Sequence, residues 1–106
     1  DIFLPGYLTF GSKMLFDVER YEEASEWARR ATISTNPRTA SFSILVAALV
    51  KMGRNQEVSA AVEELEKRSA RKTLSEIRYS IEWNWPASSN GNKRLIDALR
   101  EAGLPD

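Results

Sequence analysis

The chain has 106 residues, with fifteen Lys and Arg balancing fifteen Asp and Glu, so no net field draws it to nucleic acid or to an anionic membrane. It contains no cysteine and no histidine, which excludes disulfides and thiolate or imidazole metal sites and leaves acid–base chemistry to Asp, Glu, Lys and Tyr. The longest apolar run, residues 44–50, is far short of the roughly 18 residues a membrane span needs. One domain with a modest core is the expectation at this length, without a cofactor site of its own. Cysteine usage fits a reducing cytosol, and the location expected is cytoplasmic. The opening Asp1, Ile2, Phe3, Leu4, Pro5 lacks an initiator Met, a basic stretch and a cleavage pattern, and reads as part of a longer polypeptide.

Pro5 suits a helix start, because its missing N–H is not needed there, and Leu8, Leu15 and Phe16 recur at helical spacing up to about Asp17. A second helix runs from Tyr21 to about Ala31, with Glu22 and Glu23 early and Arg29 and Arg30 late, as the helix dipole favours. Its Ala24, Ala28 and Ala31 form a stripe that lets a neighbouring helix approach closely. Pro37 disfavours helix at Asn36 and suits the first turn of a third helix. In that helix Phe42, Leu45, Val46, Leu49 and Val50 make a broad apolar face, and Gly53 supplies a left-handed cap. The fourth opens at Asn55 with a core stripe of Val58, Ala61, Val62 and Leu65.

Beyond Ser69 the pattern loosens. Leu74, Ile77 and Ile81 continue a helical stripe that ends at Trp83, Asn84, Trp85 and Pro86. Residues 87–92 read as a polar turn. Leu95, Ile96 and Leu99 mark a final amphipathic helix closed by Gly103 and Pro105.

The first four helices repeat. Leu8, Gly11, Ser12, Leu15, Tyr21, Ala24, Ala28 and Ala31 fall on Phe42, Leu45, Val46, Leu49, Asn55, Val58, Val62 and Leu65 when 34 is added to each number. Together with Pro37, this spacing resembles the tetratricopeptide repeat. The resemblance implies an all-α, right-handed superhelix of antiparallel helix hairpins: repeat 1 over about 5–36, repeat 2 over about 37–70, and a degenerate capping hairpin over about 71–106. A narrower likeness concerns the stretch from Leu95 to Asp106, with its tail Leu99, Arg100, Glu101, Ala102, Gly103, Leu104, Pro105 and Asp106 after helical hairpins, and the segment from Lys72 to Arg78 before it. It resembles the C-terminus of bacterial class III adenylate and guanylate cyclases, and implies a regulatory or dimerising region without catalytic residues.

By the tetratricopeptide resemblance the first helix of each hairpin lines a concave groove. This assigns Thr9, Phe10, Lys13, Phe16 and Asp17 in the first unit, and Ala40, Ser43, Ile44, Ala47, Val50 and Lys51 in the second. The groove would take a peptide or partner helix, a second copy of the chain, or the parent protein's own N-terminal domain. The competing expectation is that these residues are covered by the final helix or by preceding repeats. Lys13 and Lys51 invite a carboxylate-clamp reading, although Asp17, Phe16 and Ala47 stand where that clamp wants asparagines. Trp83 and Trp85 form a second candidate patch, with core-edge packing as the plainer reading, and Trp27 is read as a packing or rim residue. Lys67, Arg68, Arg71 and Lys72 cluster in a loop best read as solvated. No catalytic, cofactor-binding or metal residues are assigned, and neither nucleic acid nor membrane is expected as a partner.

Overall fold

A computed structural model describes the chain over residues 4–106, with side chains from Gly6 onward; the expectation drawn from the opening residues falls on Asp1, Ile2 and Phe3, outside that span. All regular structure among the described residues is helical. The helices are α1 (Leu4–Asp17), α2 (Tyr21–Thr32), α3 (Thr39–Lys51), α4 (Asn55–Arg68), α5 (Leu74–Asn84) and α6 (Ser89–Glu101).

The internal repeat is visible in backbone hydrogen bonds. At the end of α1 the amides of Val18, Glu19 and Arg20 donate to Met14, Phe16 and Leu15; at the end of α3 those of Met52, Gly53 and Arg54 donate to Ala48, Val50 and Leu49. The crossed pair of bonds to Phe16 and Leu15, and to Val50 and Leu49, is the Schellman arrangement that satisfies the last helical carbonyls. It requires a left-handed residue, supplied by Glu19 at φ 64° and by Gly53 at φ 71°. The residues that then open α2 and α4, Arg20 and Arg54, share ψ of 70°. Two hairpins of one design are thus joined through the contact between α2 and α3.

The third hairpin is built and placed differently. α4 packs on α3 alone, and α5, next in sequence, does not pack on α4. Instead α5 and α6 fold back so that α6 lies against α3 and α1. α6 presents Leu95, Ile96, Ala98 and Leu99 to a core that also takes Phe16, Ile44, Ala47 and Leu49. A cap stacked on the end of the array would have left the side lined by α1 and α3 open; here it is closed. The Cα radius of gyration, 12.0 Å, is accordingly no larger than the roughly 13 Å of an ordinary compact domain this long.

α6 also begins earlier than its composition suggests. Ser89, Asn90, Gly91 and Asn92 are helical, not part of a turn, because Gly91 and Asn92 are buried and the Asn92 side-chain amide donates to the Trp85 carbonyl at 2.9 Å. Tertiary contacts override the turn-forming character of these residues.

Candidate interaction surface

The residues expected to line an open groove are mostly inside the protein. Thr9, Lys13, Phe16, Ser43, Ile44 and Ala47 are buried, Ala40, Asp17 and Val50 are half-buried, and only Phe10 and Lys51 have substantial exposure. Most of these side chains are therefore enclosed within the fold. The apolar stripe of α6 has no other helix to bury against than α1, α3 and α5, and it occupies the space a ligand would have used.

The two lysines are also set in different surroundings. Lys13 is fully buried and its Nζ donates to both Asp17 carboxylate oxygens, at 2.7 and 2.8 Å, while lying 5.2 Å from the Trp85 ring centroid. Burial pushes its pKa down, and the hydrogen bond and charge of Asp17 oppose that shift. Arg94 on α6 donates to the Asp17 carbonyl at 2.7 Å, and a Cβ on Gly91 would stand 2.0 Å from Asp17 Oδ1. Lys13 and Asp17 therefore lock α1 to α6. Lys51 sits apart, over the Tyr21 ring at 5.9 Å from its centroid. Arg94 and Gly91 were not legible as partners of Asp17; only the i,i+4 spacing of Lys13 and Asp17 was.

Trp85 is half-buried and stacks at a tilt on Phe10, with centroids 4.9 Å apart, so it seals the edge of the core. Trp83 is 76% exposed and stands one turn from exposed Tyr79 on the outer side of α5. Of the basic cluster, Arg68 is engaged: it donates to the Thr32 carbonyl at 2.8 Å and lies 5.2 Å from the Phe42 ring centroid.

A cluster of exposed apolar side chains lies on the outer side of α1. Tyr7, Met14 and Val18 are about two-thirds exposed, at 65%, 67% and 66%, with Phe10 beside them. Trp27 of α2 lies flat against this face, its ring 5.6 Å from that of Tyr7 at an interplanar angle of 29°. Gly11 makes that position possible, since a Cβ there would come within 2.3 Å of the Trp27 ring. Together they line a shallow groove of about 600 Å³. The only charges on α1 are Lys13 and Asp17, which are bonded to each other, so the helix offers water almost nothing polar.

No family model, curated protein or solved structure matches this chain.

The surface must therefore be judged by its own chemistry. A helix apolar on all sides is normally enclosed, and the repeat gives an internal standard. The α3 positions equivalent to Tyr7, Phe10, Gly11 and Met14 are Ser41, Ile44, Leu45 and Ala48, and all four are buried. α1 thus shows an uncovered version of a face that α3 keeps covered. Among the described residues no helix is long and apolar enough to cross a membrane, and no group of three or more Asp or Glu side chains comes together as a metal site.

Proposed function

We propose that this chain is a non-catalytic protein–protein interaction module, built on two tetratricopeptide-like hairpins, that receives a partner helix on the outer side of α1. The observation that carries the reading is the exposure of Tyr7, Met14 and Val18 beside Trp27, on a helix with no free charge. Exposed apolar patches of this kind mark interaction sites on soluble proteins, and aromatic residues dominate binding energy at such sites.

The molecule itself suggests what the occupant is like. α3 has α2 laid against it, and α2 buries the small side chains of Ala24, Ala28 and Ala31 at i, i+4 and i+7. An amphipathic helix with a similar stripe of small residues could approach α1 closely, with Tyr7 and Met14 as the protruding groups. Acidic residues such as Glu22, Glu57 and Glu64 are engaged in exposed ion pairs with arginines, an ordinary solvated role that supports the non-catalytic reading.

The test is an amide chemical-shift titration of the full chain with a helix-stabilised peptide carrying the α2 sequence, residues 21–32. Saturable shifts at Tyr7, Gly11, Met14 and Trp27, lost in Met14→Glu, are the expected result. Shifts confined to other helices, or none, would overturn the assignment. Sedimentation at rising concentration addresses the self-association alternative: a dimer dispersed by Met14→Glu would keep the surface but make its occupant a second copy.

A further inference from the structure

A second site, which shares Phe10 with the α1 surface, lies where the start of α3 meets the end of α5. The pocket measures about 290 Å³, at the small end of ligand sites, and Arg38 and Arg71 both line it, with no Asp or Glu among the described residues of its walls. Among the described residues neither arginine makes an ion pair, although six other basic residues on the exposed surface do. Arg71 is within electrostatic reach of Glu76, but the Glu76 carboxylate is held by the amides of Lys72 and Thr73.

Arg38 has a prepared seat. Its guanidinium would lie 3.3 Å from a Cβ on Gly6, so the missing side chain of α1 leaves the room it occupies. Thr39 and Ser80 add hydroxyls that make no hydrogen bond among the described residues, while the Asn84 amide beside them donates to the Ser80 carbonyl at 2.8 Å. One wall is the Phe10 and Trp85 pair. The pocket thus combines two guanidinium groups unpaired among the described residues, hydroxyl donors and an aromatic side.

We propose that this pocket binds a phosphate monoester carried on an aromatic ring. Two guanidinium forks and two hydroxyls offer more donors than the two oxygens of a carboxylate can use, whereas a phosphate presents three strong acceptor oxygens. The Phe10 and Trp85 wall gives the ring a surface to lie on. The size of the pocket admits a single ring with its phosphate.

Phenyl phosphate is the probe, titrated into the full chain at constant ionic strength and followed by amide and indole resonances. Saturable shifts at Thr39, Ala40, Ser80 and the Trp85 indole are expected, with affinity falling at least tenfold in Arg38→Gln combined with Arg71→Gln. Both arginines are exposed, so the double variant should melt as the native chain does; should it not, Arg71→Gln alone must still weaken binding. Inorganic phosphate and phenol should each bind more weakly than phenyl phosphate. Free phosphotyrosine and a phosphotyrosine peptide then distinguish a small aryl phosphate from a modified protein side chain as the source of the group. Absence of saturable shifts, or binding unchanged by the arginine substitutions, would overturn the site. Equal affinity for inorganic and phenyl phosphate would overturn the role of the aromatic wall.

Discussion

Glu19 holds a left-handed backbone at φ 64°, where its repeat equivalent is Gly53 at φ 71°. A side chain in that region crowds the following carbonyl at a cost of roughly 1 to 2 kcal/mol, whereas glycine carries no such cost but loses roughly 0.5 to 1 kcal/mol of chain entropy on folding. Glu19→Gly should therefore stabilise the protein by about 0.5 to 1 kcal/mol, read as a higher midpoint in urea with an unchanged slope. The opposite sign is expected at Gly91. There a methyl group would meet the Asp17 carboxylate, which cannot step aside because Lys13 holds both of its oxygens. Gly91→Ala should cost about 1 to 3 kcal/mol as an overpacking change, and the same urea titration would show it. A melt unaffected by Gly91→Ala would mean that the α1–α6 lock is looser than these distances imply.

At the scale of single helices, α5 has the best-defined start. Thr73 Oγ1 accepts from the Glu76 amide, and the Glu76 carboxylate accepts from the amides of Lys72 and Thr73 at 3.1 Å each, a reciprocal capping box. Those amide bonds, first Lys72 and then Thr73, with the Thr73 hydroxyl, hold the Glu76 pKa below its ordinary 4.5. Because the folded value is depressed, the stabilisation is present above the unfolded value and is lost as pH falls through the folded one. Melting temperature should thus fall more steeply below pH 4.5 in the native chain than in Glu76→Gln, as circular dichroism would record. The T-x-x-E spacing of this cap stands in the sequence. So do most helix limits, because they are set locally, by Pro37 before α3 and by the glycines after α3 and α6. The start of α6 was not legible, since Gly91 and Asn92 are made helical by Asp17 and Trp85, residues brought to them by the fold. The enclosure of the expected groove residues was not legible for a related reason. A 34-residue period specifies how each hairpin closes, but not whether the last one stacks on α4 or folds across α1 and α3. The α1 residues that no described helix covers, Tyr7 and Met14 above all, remain as a surface, and their excess appears in the sequence as a helix with almost no charge.

Over the whole molecule, the helices are unequally tied together. α3 touches every other helix, α4 packs its backbone against α3 and meets α2 only through side chains, and α6 reaches α1, α3 and α5. α4 has two enclosed side chains, Ala61 and Leu65, and is otherwise steadied by side-chain links to α2, among them Arg29 to Glu57 at 3.4 Å and the Arg68 bond to Thr32. Exposed ion pairs contribute at most about 1 kcal/mol each, so α4 should open locally while the rest stays folded. Leu99, in contrast, is fully buried in the core that joins α6 to the repeats. Leu99→Ala should cost about 2 to 5 kcal/mol through lost burial and the cavity left behind. Because that cavity lies beneath helices that share one core, the loss should appear in hydrogen exchange as reduced protection of α1, α3 and α6 together. Val62→Ala, at a half-buried site on α4, should speed exchange in α4 and leave α1 and α6 as they were. If Leu99→Ala loosened α6 alone, α6 would be an appended helix resting on a repeat that stands without it, and the α1 and α3 residues beneath it would again be available as a groove.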